Sequence, residues 1–293
     1  MIEQPPWRLI LHGGAGRPAP DRAGASRAGL LAAAAIGRRV LAGGGSALDA
    51  VEQTIRALED DPQFNAGFGS VLNAEGEVEM DAAIMDGPTL DFGGVAAVKG
   101  LRHPISVARA LLKEPPILLA AEGARRFAEA IGAETCAPEA MIAPRRRPQR
   151  GVDTVGCVAI DREGRVAAGT STGGIAGKAP GRVGDSPLPG AGLYADARGG
   201  VSLSGEGEKI ARVLVAAEVM HRLDGHPAQA AAEHGIARLA SIGGSGGCIV
   251  LDGQGRFGCA HNSGQFAVGL AAPGLDQPLA FLHRSEMDAI LNG

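Results

Sequence analysis

The stretch that decides the fold is residues 151–185, GVDTVGCVAIDREGRVAAGTSTGGIAGKAPGRVGD, which predicts a buried β-hairpin. Residues 155–160 form a short, almost wholly apolar run, typical of a strand that is buried on both faces. Residues 161–164, DREG, carry Asp first and Gly last, as a four-residue turn prefers. Residues 165–171 are then the returning strand.

The predicted register of this hairpin brings two threonines together. If Ile160 faces Arg165, antiparallel pairing places Thr154 opposite Ser171. Thr172 is then one residue from Thr154 in space. The open end of the hairpin therefore carries two hydroxyl groups in close proximity.

Thr154 also follows a segment without a packing pattern. Residues 132–153 are rich in Pro and Arg and are predicted to be a linker. A threonine that opens a buried strand after a linker points to an N-terminal nucleophile, whose hydroxyl attacks while its own α-amine accepts the proton. Such an amine titrates near about 7.7–8.0. It exists only if the Asp153–Thr154 bond is cut.

Several motifs resemble the plant-type asparaginases, also called isoaspartyl peptidases. TVGCVAID, TSTGG and GRVGDSP are similar to the start of their β-subunit, and the resemblance continues in HGGAG (12–16), FNAGFGSVLN (64–73), MDAAIMDG (80–87) and GGSGG (243–247). It implies an α+β fold, a four-layer αββα sandwich of the N-terminal nucleophile hydrolase type. It further implies one structural domain cut into an α-subunit, residues 1–153, and a β-subunit, residues 154–293.

The resemblance also implies an activity. The chain would hydrolyse L-asparagine and β-aspartyl (isoaspartyl) dipeptides and release L-aspartate. Thr154 would be the nucleophile, Thr172 would hydrogen-bond to it, and Ser204 with the Gly205 N–H would hold the oxyanion. Asn65 would hydrogen-bond near the nucleophile. The implied partners are a small molecule or dipeptide as substrate and a second copy, in a dimer of αβ heterodimers.

Arg182 and Asp185 are the candidate substrate-binding pair. A guanidinium is a planar fork suited to a carboxylate, and a carboxylate suits an ammonium, so the two residues could hold both ends of an α-amino acid. The alternative is a structural salt bridge between them. The resemblance favours substrate binding, with Gly205 and Gly207 beside the pair.

A loop after the second predicted helix is the candidate metal site. The resemblance implies no cofactor for the chemistry but a structural sodium ion held by backbone carbonyls, while an ordinary turn is the alternative. By position, the carbonyls are those of Leu58, Glu59, Asp61, Phe64, Ala66 and Phe68.

Two departures from the family pattern bear on the preferred substrate. Ser204 stands where Thr is usual, and Glu206 adds a negative charge near the proposed anion site.

The Gly-rich turn at residues 12–16 could cradle a phosphate group, although a tight turn is the better interpretation. Two rival functions follow: a glycosylasparaginase-like hydrolase, and a non-catalytic phosphate- or nucleotide-binding module. His261 is interpreted as a core or loop histidine rather than a base.

Composition narrows the function further. Hydrophobic residues make up 45% of the chain but aromatic residues only 3%, so the core must consist of small and aliphatic side chains. A net charge of −4 argues against nucleic-acid binding, and the basic cluster 145–150 is interpreted as a solvated loop. No apolar run is long enough for a membrane span, and no signal peptide is apparent. Four cysteines without a CxxC pair predict buried thiols and a cytoplasmic location.

The remaining pattern predicts alternating helices and strands. A second hairpin, residues 247–256, repeats the pattern of residues 156–165. Ser46 and Asp49 have capping-box spacing at the start of the second helix. Helices are predicted over 21–42, 46–60, 105–112, 121–131, 209–223 and 227–239, and further strands over 78–85 and 94–98.

Overall fold

The larger of two sheets interleaves strands from both halves of the chain. The computed structural model describes residues 6–16, 23–143, 153–283 and 286. The sheet contains β1 (Arg8–His12), β2 (Met80–Asp86), β3 (Phe92–Val98), β4 (Leu118–Ala120), β5 (Val155–Ile160), β6 (Val166–Thr172), β11 (Val268–Ala271) and β12 (Leu279–Phe281). Their order is β12-β11-β1-β5-β6-β2-β3-β4. Strand β1 thus lies between two strands that follow Thr154 in sequence.

The smaller sheet belongs entirely to the second half of the chain. It contains β7 (Leu193–Asp196), β8 (Gly199–Gly205), β9 (Gly246–Asp252) and β10 (Phe257–His261), in the order β10-β9-β8-β7. All its neighbouring strands are antiparallel. Strands β9 and β10 form the second predicted hairpin, which is therefore confirmed.

Helices cover both sheets. They are α1 (Ala23–Ala42), α2 (Ala47–Asp60), α3 (Pro104–Ala110), α4 (Ala121–Ala130), α5 (Gly207–Val213), α6 (Val215–Arg222) and α7 (Ala228–Ala240). Ser46 caps α2, and the predicted capping box with Asp49 is present. Among the described residues, no helix has the length and apolar character that a membrane crossing needs.

Aliphatic side chains form four apolar clusters. One packs α1 and α2 against the eight-stranded sheet and includes Leu30 and Ile55. Another contains residues of both sheets, such as Val158 and Ile249. A third packs α6 and α7 against the four-stranded sheet around Val219, and a fourth packs α3 and α4 against β2 and β3. The fold is therefore a mixed arrangement of helices and sheets.

The register predicted for the first hairpin is wrong by one residue. Ile160 pairs with Val166, and Val155 pairs with Ser171. The turn has five residues because the backbone N–H of Asp161 bonds to the carbonyl of Arg165 at 3.0 Å, and Asp161 Oδ1 accepts from Arg165 N at 3.0 Å. Extending this register by one residue places Thr154 opposite Thr172.

The single helix predicted over residues 209–223 is also wrong. Leu214 adopts a left-handed backbone conformation, φ 50°, and separates α5 from α6. Neither Gly nor Pro stands at this break, so the sequence contained no signal for it. The other predicted helices and strands are present, with ends shifted by one or a few residues.

Candidate active site

Thr154 lies immediately before β5 and is buried in the intact chain. Its backbone N–H donates to Ser204 Oγ at 3.1 Å. Its hydroxyl lies 3.3 Å from Ser186 Oγ, and both side chains are buried. The Ser186 carbonyl accepts from Thr170 Oγ1 at 2.7 Å, which ties the segment carrying Ser186 to β6. Thr154, the candidate nucleophile, therefore contacts the Ser204 hydroxyl through its backbone N–H and the Ser186 hydroxyl through its own side chain.

The Gly-rich turn after β1 packs against the peptide bond before Thr154. A Cβ atom on Gly14 would lie 2.8 Å from Asp153 Cα, and one on Gly16 would lie 2.2 Å from Asp153 Oδ1. Ala15 N donates to Ser204 Oγ at 3.0 Å. Larger residues would collide with Asp153, so these glycines let the turn approach the predicted cleavage site.

Thr172 and Asn65 meet at a second Gly-rich segment rather than at Thr154. Gly174 N donates to Thr172 Oγ1 at 3.0 Å, and Asn65 Nδ2 donates to the Gly174 carbonyl at 2.6 Å. Gly173 N donates to the Asn65 carbonyl at 2.8 Å. In the described part of the chain we find no hydrogen bond between the hydroxyls of Thr154 and Thr172. Both residues therefore shape the backbone beside the nucleophile in the intact chain.

Arg182 is held by a carboxylate other than Asp185. Its Nε and Nη2 each donate to the Glu208 carboxylate at 2.8 Å, a bidentate pair. The anticipated alternative of a salt bridge between Arg182 and Asp185 is not found among the described residues. Within the described part of the chain, Arg182 Nη1 makes no hydrogen bond. This nitrogen is therefore available to a further acceptor.

Asp185 is a buried carboxylate with unused hydrogen-bonding capacity. The residue is 3% exposed, and among the described residues its Oδ2 has no hydrogen-bond partner. Burial raises the pKa of Asp185 to about 7, although the Arg182 charge opposes this shift. A Cβ atom on Gly207 would lie 2.8 Å from Asp185 Oδ1 and 3.1 Å from Arg182 Nη2. A buried acceptor of this kind suits a cationic donor.

A small cavity, about 10 Å³ in volume, joins these groups. Ser186 and Asp153 contribute to its lining, as do the backbone segments 174–175 and 184. It brings together seven of the residues predicted from sequence: Asp153, Thr154, Thr172, Arg182, Asp185, Gly205 and Gly207. Asn65 and Ser204 do not line this cavity but hydrogen-bond to residues that do: Asn65 to Gly174, and Ser204 to Thr154.

Ser204 and Glu206 have different surroundings although they are close in sequence. Ser204 lies at the end of β8, fully buried, and accepts from the two backbone N–H groups of Ala15 and Thr154. The Glu206 carboxylate accepts from Ser245 N at 2.8 Å and from Lys209 Nζ at 3.1 Å. Its negative charge is thus paired with the Lys209 ammonium in the intact chain.

The loop predicted to bind sodium brings several carbonyls together. A Cβ atom on Gly69 would lie 1.9 Å from the Phe64 oxygen and 3.1 Å from that of Asp61, and one on Gly67 would lie 2.3 Å from the Glu59 oxygen. The absence of a side chain at Gly67 and Gly69 thus lets these carbonyl oxygens approach the backbone of the loop closely. The described residues hold no cluster of three or more His, Cys, Asp or Glu side chains suited to a metal.

Other polar groups lie apart from the cavity. His12 is buried, and its Nε2 lies 2.9 Å from Ser202 Oγ; burial lowers the pKa of His12 to about 3, so the ring is neutral. His261 is the last residue of β10, and its Nδ1 lies 3.1 Å from the Ser263 carbonyl. Cys157, Cys248 and Cys259 are buried thiols as predicted, whereas Cys136 is only partly buried. Burial raises the pKa of Cys248 to about 12. The basic cluster 145–150 lies outside the described residues.

Two residues of the site were not predicted from the sequence. Ser186 belongs to the GRVGDSP motif, next to Asp185, and Glu208 ends the run SLSGEGE. Their partners, Thr154 and Arg182, are 32 and 26 positions away in the chain. The motif position of Ser186 was the only available signal, because both contacts depend on how distant loops meet.

Comparison with known proteins matches most of the chain to a single family. A family model described as asparaginase matches residues 5–150 and 143–275. A Xenopus laevis protein named isoaspartyl peptidase/L-asparaginase is 41% identical over 278 residues, 88% of this chain and 90% of that protein. Proteins with the same name from Homo sapiens and Danio rerio are 43% and 40% identical, over 85% and 91% of this chain and 88% and 92% of their own lengths.

Proposed function

This chain belongs to the asparaginase family, and from that premise we propose that it hydrolyses L-asparagine and β-aspartyl (isoaspartyl) dipeptides, releasing L-aspartate. The relatives compared above carry both activities in their name. The observation that carries the proposal is the cavity that joins Thr154 to Arg182 and Asp185. Since the family is one of hydrolases, the rival of a non-catalytic phosphate-binding module is set aside.

Substrate recognition rests on two opposite charges left available in the site. Arg182 Nη1 receives the α-carboxylate while Glu208 fixes the other two nitrogens of the guanidinium. The orphaned Asp185 Oδ2 accepts from the α-ammonium. With both ends of the aspartyl group held, its side-chain carbonyl extends toward Thr154. A substrate that lacks the α-carboxylate or the α-ammonium would lose one of these two contacts.

The chemistry starts from the Thr154 hydroxyl. Thr154 Oγ attacks the side-chain carbonyl, and the Thr154 α-amine accepts the proton and returns it to the leaving amine. Ser204 Oγ and the Gly205 N–H stabilise the oxyanion. The resulting β-aspartyl ester is hydrolysed by water, which frees L-aspartate and restores the hydroxyl. Ser186, 3.3 Å from the nucleophile, supports the orientation of that hydroxyl.

The α-amine has to be made by cleavage before Thr154. We infer that Thr154 Oγ attacks the Asp153 carbonyl, that the amide nitrogen leaves as the new amine, and that water hydrolyses the ester. The close approach of Gly14 and Gly16 to Asp153 supports a role of the Gly-rich turn in holding this bond. The products are an α-subunit, residues 1–153, and a β-subunit, residues 154–293.

Intact-mass spectrometry and a substrate panel test the proposal together. Purified protein should split at Asp153–Thr154 and then hydrolyse L-asparagine and β-aspartyl dipeptides. Thr154→Ala should stay a single inactive chain, while Thr154→Ser should still cleave because it keeps the hydroxyl. Hydrolysis of only glycosylated asparagine would favour the glycosylasparaginase alternative. Full activity in a chain that never splits would refute the mechanism.

Architecture, ion and assembly complete the proposal. The helix-covered sheets and the cluster containing Val158 and Ile249 support a four-layer αββα sandwich, built as one domain from both subunits. The close approach of carbonyl oxygens to Gly67 and Gly69, together with the resemblance of this loop to the family pattern, supports a structural sodium ion. A dimer of αβ heterodimers and a cytoplasmic location remain predictions, which light scattering and cell fractionation test.

A further inference from the structure

Two serines of strand β8 contact the Gly-rich turn at residues 12–16. Ser202 and Ser204 are two residues apart, so their side chains lie on the same face of the strand, and both are fully buried. Ser204 Oγ accepts from Ala15 N at 3.0 Å. Ser202 Oγ lies 2.9 Å from Nε2 of His12, the residue at which the turn begins. Strand β8 thus contacts the turn at two points, three residues apart.

The hydrogen bonds around Ser202 determine which nitrogen of the His12 ring is protonated. Ser202 Oγ donates its single proton to the Gly169 carbonyl at 3.2 Å, so toward His12 the hydroxyl oxygen is an acceptor. His12 Nε2 therefore carries the proton and donates it to Ser202, while Nδ1 has no hydrogen-bond partner among the described residues. A side chain with a nitrogen donor near the Nε2 position should then replace histidine, whereas a hydrocarbon ring should not.

A glycine of strand β5 makes room for this hydrogen bond. Gly156 pairs with His12 across the strands. A Cβ atom on Gly156 would lie 2.0 Å from Ser202 Oγ and 2.4 Å from His12 Nε2, which is closer than unbonded atoms approach. The strand that follows the candidate nucleophile therefore has no side chain at the point where His12 meets Ser202.

The turn held in this way also packs against the bond that is to be cut. Two of its glycines lie against Asp153, as described above. The backbone of residues 13–14 bonds to Ala267 at 2.8 and 3.2 Å. His12 precedes this segment, and its bond to Ser202 adds a side-chain anchor on the other sheet. A shift of the turn would alter the position of the peptide bond to be cut.

We propose that His12 and Ser202 are positioning residues for self-cleavage, whose hydrogen bond fixes the Gly-rich turn so that the Asp153 carbonyl stays within reach of the Thr154 hydroxyl. Neither side chain lines the cavity, so both act through the turn. The inference rests on the proposed function, because it concerns cleavage before Thr154. It gives the pair no part in substrate binding and therefore predicts an effect on cleavage but not on KM.

Pulse-labelled cell-free synthesis, which starts every variant from the intact chain, measures the rate of cleavage. Ser202→Ala should slow cleavage by about 10–10²-fold, as a misplacement of about 1 Å can do. His12→Phe keeps a ring against Phe266 but has no donor, and it should slow cleavage to a similar extent. His12→Gln keeps a nitrogen donor and should stay within about threefold of wild type. The double variant of Ser202→Ala and His12→Phe should be no slower than the slower single variant, because both changes remove the same bond.

A control variant and a second measurement separate positioning from a merely structural role. Ser106→Ala removes a hydroxyl that bonds to Glu52 at 2.6 Å and to Arg56 at 2.8 Å, and it should leave the cleavage rate unchanged. Once cleaved, Ser202→Ala should keep KM for L-asparagine within about threefold of wild type. Equal slowing by Ser106→Ala would show that cleavage only follows stability and would overturn the proposal.

The remaining outcomes are equally decisive. Cleavage of Ser202→Ala at the wild-type rate overturns the inference, as do additive effects in the double variant or slow cleavage of His12→Gln. If His12→Phe does not fold, Ser202→Ala and His12→Gln decide between the two roles. A wild-type chain that never splits overturns the proposed function itself, whereas a wild type that splits no faster than Ser202→Ala overturns only this inference.

Discussion

Ser204→Ala tests whether one buried oxygen holds the site together. Ser204 Oγ accepts from Ala15 N at 3.0 Å and from Thr154 N at 3.1 Å. The substitution leaves both donors without this acceptor, and a buried unpaired donor costs about 1–3 kcal/mol. The free energy of unfolding of the intact chain should therefore fall by about 2–6 kcal/mol. At about 2–4 °C per kcal/mol, Tm should drop by at least about 4 °C.

The measurement needs a chain that cannot split. Ser204→Ala is best compared in a Thr154→Ala background, which keeps the backbone N–H, by urea denaturation and calorimetry. Ser204→Thr keeps the oxygen and should be tolerated. Ser241→Ala, at an exposed position, should change stability by less than about 0.5 kcal/mol. A loss below about 0.5 kcal/mol in Ser204→Ala would mean that Ser204 does not carry these two bonds.

The same substitution has a separate effect on turnover. With Thr154 restored, loss of one oxyanion donor should lower kcat by about 10²–10³-fold. Steady-state kinetics on the fraction that mass spectrometry finds cleaved will measure this. A decrease of less than a few-fold would place the oxyanion site on other groups.

Three further predictions follow from single contacts. Arg182→Ala should leave self-cleavage intact but cost about 2–5 kcal/mol in kcat/KM for L-asparagine, because the charged partner of the substrate carboxylate is lost; unchanged kcat/KM would remove Arg182 from the substrate site. Burial raises the pKa of Asp185 to about 7, above its unfolded value, so its stabilising contribution is complete below about pH 4 and is lost as pH rises through about 7. Asp185→Asn should remove this part of the pH dependence of unfolding, and an identical profile would contradict the assignment. Leu214→Gly should raise the free energy of unfolding by about 1 kcal/mol, because Leu214 is exposed and left-handed at φ 50°, and a lower Tm would show that its side chain contributes packing.

Local patterns predicted much of the fold. The hairpins were predictable because each joins apolar strands through an Asp-x-x-Gly-Arg turn, where Asp161 and Asp252 each bond to two backbone N–H groups further along the chain. The one-residue error in register has the same origin, since these bonds add Arg165 to the turn. The break at Leu214 had no local cause, and tertiary contacts impose it.

The candidate site was predictable only as far as its motifs extend. Thr154, Thr172, Arg182 and Asp185 lie within one continuous stretch, and the cavity brings them together. The partner of Arg182 could not be predicted, because its guanidinium, three residues before Asp185 in sequence, pairs in space with Glu208 from the start of α5. The motifs identify which charged residues lie near the site. The packing of the loops determines which of their atoms remain available to bind a substrate.

If the chain is cut before Thr154 as proposed, the position of β1 between β5 and β11 determines how the molecule can regain its structure. An uncut chain folds in a first-order process, since all strands are tethered. After the cut, β1 has to find its place between two strands of a separate polypeptide, so refolding becomes a second-order encounter and Tm becomes dependent on protein concentration. Dilution should then slow recovery of the cut form from urea while leaving the Thr154→Ala chain unaffected. The proposed mechanism therefore implies an order of events: the chain folds while it is one molecule, and the cut then removes the tether that made folding independent of concentration.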